Sequence, residues 1–223
     1  MKNKSIALDG PAGAGKSTLA RKAAERFGYI YVDTGALYRC IGLFAMRSGV
    51  GSKDEDGVVS LLPGIDLEMI YDGKGEQRMI LNGEDVTDAI RSPDASIHAS
   101  DVSAMPAVRE FLLSMQREMS EKYDVIMDGR DIGTVVLPDA GLKVFLVADA
   151  EVRAKRRHLE LLEKNAEVTF DEVLRDMNLR DKNDSERAVA PLKAAEDAIK
   201  LDTTSLSLEE SLEALCSIIA ERL

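Results

Sequence analysis

One eight-residue segment constrains this chain more than any other. Gly10-Pro11-Ala12-Gly13-Ala14-Gly15-Lys16-Ser17 fits G-x-x-x-x-G-K-[ST] at every fixed position. Such a loop works only between a strand and a helix, because it aims backbone N–H groups and a helix N-terminus at phosphate oxygens. Glycine is required where the backbone turns inward and meets the anion closely. Both neighbours are present. Ser5–Asp9 is a short apolar run, and Leu19, Ala20, Ala23, Ala24 and Phe27 share one helical face ahead of Gly28, a helix-ending residue. A chance match in a chain of this length is on the order of 1%, and the flanking elements lower it further. In this pattern the lysine, Lys16, reaches the β- and γ-phosphates and the hydroxyl, Ser17, ligates Mg²⁺.

Four more apolar runs read as strands, at 29–33, 125–128, 143–148 and Ile199–Asp202. Short continuous runs of this kind suit strands buried on both faces. Helical patterns lie between them. The last repeats Leu208, Leu212, Leu215 and Ile219, with Ser207 and Glu210 at capping-box spacing. The expected fold is therefore α/β: a five-stranded parallel sheet with helices on both faces. One segment breaks the rhythm. Ile65, Leu67, Met69 and Tyr71 alternate, 72–75 and Asn82-Gly83 are turn signals, and Met79-Ile80-Leu81 lies between them. A small antiparallel sheet inserted at about 63–90 is expected there. Residues 48–57 read as a surface loop and hinge. Met105, Met115 and Met119 read as packing residues.

Composition narrows the partners. The chain has 29 basic and 40 acidic residues, a net charge of −11. That argues against a nucleic-acid-binding face and against an anionic membrane surface. No apolar run approaches the ~20 residues of a membrane span. Two cysteines, Cys40 and Cys216, and two histidines, His98 and His158, argue against a disulfide framework and a zinc site. The expectation is a cytoplasmic protein.

Three reaction classes share the loop: small-molecule kinases, GTPase switches, and ATPase motor or transport subunits. No N-K-x-D follows a strand. The two D-x-x-G matches, at 54–57 and 72–75, fall in turn-like sequence. No L-S-G-G-Q-type segment is present. A kinase acting on a phosphate must gather arginines from several segments, because it brings two anions together. It needs no strong base, since the attacking oxygen is already ionised. Arg39, in Asp33-Thr34-Gly35-Ala36-Leu37-Tyr38-Arg39, and Arg130, in Asp128-Gly129-Arg130-Asp131, both follow strands, where α/β sheets bind ligands. Arg180 and Arg187 flank the acidic stretch 181–186. Arg153, Arg156 and Arg157 sit on the helix after the fourth strand, where Arg153 and Arg156 could simply line an exposed face.

These segments, with Ile132-Gly133-Thr134-Val135-Val136 and Arg180-Asp181…Asp184-Ser185…Arg187…Pro191-Leu192, closely resemble the bacterial cytidylate kinases along essentially the whole chain. The resemblance implies ATP-dependent phosphorylation of CMP and dCMP with Mg²⁺, by a monomer. It implies a core of about 1–60 and 105–223, a monophosphate-binding insert of about 61–104 and a lid of about 155–187. ATP would be held by Gly10, Pro11, Ala12, Gly13, Ala14, Gly15, Lys16, Ser17, Thr18 and Arg156, with Ser17 toward the metal. Lys16, Arg130 and Arg187 would be catalytic. Arg39, Arg130 and Arg187 would take the acceptor phosphate, with Thr34 helping. Ser100, Arg109 and Asp131 would read cytosine, and Arg180 and Asp184 would lie near the sugar. Asp128 could orient metal-bound water. Thr34 is a mild departure, since many relatives carry Ser there. Alternatives are a UMP, AMP or shikimate-type kinase, or a non-catalytic nucleotide-binding regulatory module.

Overall fold

The computed structural model describes residues 3–73, 75–163 and 166–223. In chain order the elements are β1 (Ser5–Asp9), α1 (Lys16–Phe27), β2 (Ile30–Asp33), α2 (Thr34–Arg47), α3 (Glu55–Leu61), β3 (Leu67–Tyr71), β4 (Gln77–Leu81), β5 (Glu84–Asp85), α4 (Pro93–Val102), α5 (Pro106–Lys122), β6 (Val125–Gly129), β7 (Leu142–Val147), α6 (Ala150–Glu163), α7 (Phe170–Glu186), β8 (Ile199–Asp202) and α8 (Leu208–Arg222). Two compact units result. One runs up to Tyr31 and resumes at Ser120–Leu223; the other is Val32–Met119.

The first unit is organised by a five-stranded sheet in the order β2-β6-β1-β7-β8. β1 lies at its centre, pairing in parallel with β6 and β7, and β8 adds to β7 in parallel. Every residue of β1 is buried, which explains a run with no polar alternation. Leu19, Ala20, Ala23 and Ala24 of α1 and Leu215 and Ile219 of α8 pack with Ile6, Leu8 and Ile126. Gly28 ends α1 with φ 69°, as its position predicts. Ser207 and Glu210 form both bonds of a capping box at the start of α8.

The second unit holds the antiparallel sheet β3-β4-β5. Its register pairs Met69 with Met79 and Leu67 with Leu81, so the alternation seen in sequence faces one core with Leu37, Ile41, Val86 and Leu112. The 72–75 turn is closed by the Gly75 amide on the Asp72 carbonyl (2.9 Å); its Lys74 lies outside the described residues. Met105 and Met119 are buried and Met115 packs on the core, as expected.

The loop expected at 48–57 ends early. Asp54 caps α3 by accepting from the Gly57 amide at 3.0 Å, and Glu55 and Asp56 form an acidic first turn that suits the helix dipole. The polar stretch around Ser100 is helical, because Ser92 caps α4 by accepting from the Ala95 amide, with proline in its first turn. No helix of the described residues is long and apolar enough to cross a membrane.

Candidate functional site

The phosphate loop lies between β1 and α1 with three glycines in positions few other residues could hold. Gly13 and Gly15 have φ of 69° and 87°. A Cβ on Gly10 would collide with the Leu146 carbonyl on β7. Among the described residues no side chain caps α1, so its first turn is presented to whatever enters the loop. Lys16 is buried and donates to the Pro11 carbonyl at 2.7 Å. Burial first, then the neighbouring Arg130, hold its amine well below the ordinary lysine value. Arg180 adds to this effect, while Asp128 and Asp9 oppose it. A cluster of three cations around one buried spot is an arrangement that an anion relieves.

The Ser17 hydroxyl donates to Asp128 Oδ2 (2.8 Å), and Tyr31 donates to Asp128 Oδ1 (3.1 Å). Hydroxyl and carboxylate oxygens are the hard donors that Mg²⁺ prefers, usually one or two per site with phosphate and water completing the shell. The donor set at Ser17 and Asp128 therefore fits that ion.

At the end of β6 the chain enters a corner that carries one buried and one partly buried ion pair. Arg130 Nε donates to Asp184 (2.8 Å), and Arg187 donates to Asp131 (3.0 Å). Arg187 also donates to the Ala190 carbonyl (2.6 Å), and Ala190 adopts φ 50° at that turn, a conformation that favours glycine. The sequence-derived residues Asp128, Arg130, Asp131, Asp184 and Arg187 thus gather in the first unit with the loop.

Arg153 corrects the reading that placed it on an exposed face. It is buried and donates to the Ala148 carbonyl (2.8 Å), the Ala12 carbonyl (2.7 Å) and Asp181 (2.6 Å). Asp181 in turn accepts from the Ala12 amide at 3.1 Å. This bridge ties α6 and α7 to the rim of the loop. Arg156, expected on the donor side, donates to the Thr203 and Leu206 carbonyls (2.7 and 3.1 Å) and so braces the segment after β8.

In the second unit, Asp33 caps α2 by accepting from the Ala36 amide (3.1 Å) and holds Arg39 (2.6 Å). Gln77 on β4 grips Asp33 through both its amide N–H and its carbonyl (2.8 and 3.2 Å). Thr34 is buried at the start of α2. Arg109 is buried on α5, donates to the Ser103 carbonyl (3.0 Å) and lies 5.6 Å from the centroid of the Tyr38 ring. Ser100 lies half-buried on α4. Tyr38 escaped the sequence reading as a site residue, although it stands beside Arg39 in the same motif. Gln77 carried no signal in sequence, since it acts from a strand 44 residues away.

Asp9 was also missed. It is buried, and its carboxyl is pushed up to about 6, chiefly by burial, against the pull of two amide N–H groups and with the Asp131 charge adding to the rise. The folded-state value lies above the ordinary 3.8. The stability tied to this group is therefore full below that ordinary value and lost as pH rises through about 6. Against an Asp9→Asn variant, the wild-type chain should gain about 1 kcal/mol between pH 7 and pH 5. Urea unfolding of both proteins at the two pH values measures this, and a constant difference contradicts it.

Comparison of the sequence with known proteins points to one family. A family model described as cytidylate kinase matches residues 6–221. A cytidylate kinase from Caldicellulosiruptor saccharolyticus is 51% identical over 213 residues, covering 96% of this chain and 94% of its own. One from Carboxydothermus hydrogenoformans is 47% identical over 217 residues, covering 97% of each. Among solved structures, a gluconokinase from Sinorhizobium meliloti 1021 aligns at 16% identity with a TM-score of 0.49, over 99% of this chain and 93% of that one.

Proposed function

The chain belongs to the cytidylate kinase family, and from that membership we propose that it transfers the γ-phosphoryl group of ATP to CMP and dCMP, yielding CDP or dCDP and ADP. The observation that carries this reading is the company kept by the phosphate loop. Arg130 and Arg180 both act electrostatically on Lys16, and Arg130 and Arg187 are already held by carboxylates. Phosphoryl transfer asks a protein mainly for positioning and charge neutralisation, which this set supplies.

The roles divide by unit. In the first, free backbone N–H groups of the loop and of the first turn of α1, within 10–18, cradle the donor phosphates, and Lys16 leaves Pro11 to meet them. Ser17, with Asp128 behind it, would hold Mg²⁺, which would supply charge neutralisation to the phosphates. Arg130 and Arg187 steady the acceptor phosphate and the transferring group. Asp131 accepts from the cytosine 4-amino group, as carboxylates do when reading C in nucleic acids. Arg180 and Asp184 attend the sugar, and Arg156 orients the segment beside the donor. In the second unit, Arg39 and Thr34 bind acceptor phosphate, and Arg109 and Ser100 donate to the base. Residues of about 155–187 act as a lid that excludes water, so that transfer outruns hydrolysis.

The test is ADP release with Mg·ATP and, separately, CMP, dCMP, UMP, AMP, GMP or shikimate. Turnover with CMP and dCMP should exceed that with each other acceptor by roughly 100-fold or more. Equal turnover with UMP overturns the base assignment. ATP binding without acceptor-dependent turnover favours a regulatory nucleotide-binding module.

A further inference from the structure

Asp9 is the last residue of β1 and adjoins Gly10 of the phosphate loop, yet its side chain serves a different segment. One carboxylate oxygen accepts from the Ile132 amide (2.8 Å) and the other from the Gly133 amide (2.7 Å). Those amides open the wide turn Ile132–Val136, in which the Leu137 amide bonds back to the Ile132 carbonyl. Arg130 and Asp131 immediately precede it. The parallel ladder between β1 and β6 ends where Asp9 pairs with Gly129. Beyond that point the sheet no longer sets the path of the chain, and Asp131 takes a backbone conformation (φ −142°, ψ 26°) that is neither strand nor helix.

We propose that Asp9 is a positioning residue for the acceptor side of the reaction. By gripping two successive amides, it fixes the corner that aims Asp131 and Arg130, one peptide bond away from the loop that binds the donor. The inference rests on the reading of Asp131 as the group that recognises cytosine.

Two features make the grip stiff. Bonds from N–H groups to a buried carboxylate are short and strong. The room for movement is also small: a Cβ at position 133 would lie 3.4 Å from Asp9 Oδ2 and 3.1 Å from Lys143 Cδ, and Gly10 already abuts the Leu146 carbonyl. Asparagine at position 9 offers one acceptor where the corner presents two donors, so one amide loses its partner and faces an NH₂ group. A shift of about 1 Å in a binding group can cost on the order of 100-fold.

The experiment compares the full-length wild-type chain with Asp9→Asn, Asp131→Ala and the double variant. Asp9→Asn should raise KM for CMP by roughly 10- to 100-fold and lower the preference for CMP over UMP. ADP affinity, read by calorimetry, should change by less than about threefold, a split that a merely structural defect would not produce. In the Asp131→Ala background, adding Asp9→Asn should alter the CMP/UMP ratio by less than about threefold, because both changes act through one group. An unchanged KM for CMP in Asp9→Asn overturns the proposal, as does an equal loss of ADP affinity. If Asp131→Ala alone leaves the CMP/UMP ratio intact, the base assignment beneath the proposal falls instead. Should Asp9→Asn fail to fold, Asp9→Ser puts one oxygen in place of two without adding bulk, so the grip on the two amides is loosened. A rise of about threefold in KM for CMP with ADP affinity retained then supports the grip, and no rise overturns it.

Discussion

Lys16→Ala should lower kcat with CMP by roughly 1000-fold, the scale seen when one group that stabilises transition-state charge is removed. KM for ATP should move by no more than about tenfold, because the amides of the loop remain. The geometry explains why the loss falls on the chemical step. Lys16 is buried and parked on the Pro11 carbonyl at 2.7 Å, inside a cluster with Arg130 and Arg180. Burial first, and then that cluster, depress its pKa, and an arriving phosphate opposes both effects. The sign of that shift has a second consequence. A lysine whose pKa is lowered by folding costs stability at neutral pH, so Lys16→Ala should not lower the melting temperature. Turnover within tenfold of wild type, or a collapse of the melting temperature, contradicts this account.

Asp131→Ala should lower kcat/KM for CMP by roughly 100-fold while leaving that for UMP within about tenfold, so that the preference between the bases largely disappears. A carboxylate accepts from the 4-amino group of cytosine and repels the oxygen that uracil carries there. Removing it therefore penalises one base and relieves the other. The change also takes from Arg187 a carboxylate 3.0 Å away in a pair whose side chains are 7% and 6% exposed. Breaking one partner of a buried pair costs about 3 kcal/mol, so a lower melting temperature is expected as well. Asp131→Asn separates the two effects, because its carbonyl still accepts from Arg187 while its NH₂ group opposes the cytosine amine. It should lose selectivity with a smaller loss of stability. Competition kinetics with CMP and UMP, together with thermal unfolding, read both quantities. An unchanged CMP/UMP ratio in both variants removes Asp131 from the base-reading set.

Where local pattern decides the structure, the sequence was legible. The strands Ser5–Asp9 and Ile199–Asp202 need only apolar runs, and Gly28 and Ser207 mark helix ends by their own backbone chemistry. The alternation from Leu67 to Tyr71 announced the inserted sheet. Residues whose roles depend on distant partners were not legible. Arg153 reads as a surface charge until its bonds to Ala12 and Asp181 are known, 141 and 28 residues away. Asp9 reads as a strand-ending acid, but its partners lie 123 and 124 residues on. Gln77 looks like any polar strand residue until Asp33 is seen beside it. The loop expected at 48–57 gives way to helix at Glu55 for a local reason: Asp54 and its acidic successors serve as a helix start as readily as a loop.

The central claim is direct transfer of the terminal phosphoryl group of ATP to the phosphate of CMP. Incubation of the chain with CMP and Mg·ATP radiolabelled at the γ-phosphorus, followed by separation of the nucleotides, tests it in one step. The account predicts label in CDP, in amounts matching the ADP formed. Label released only as inorganic phosphate, with no labelled CDP, contradicts it.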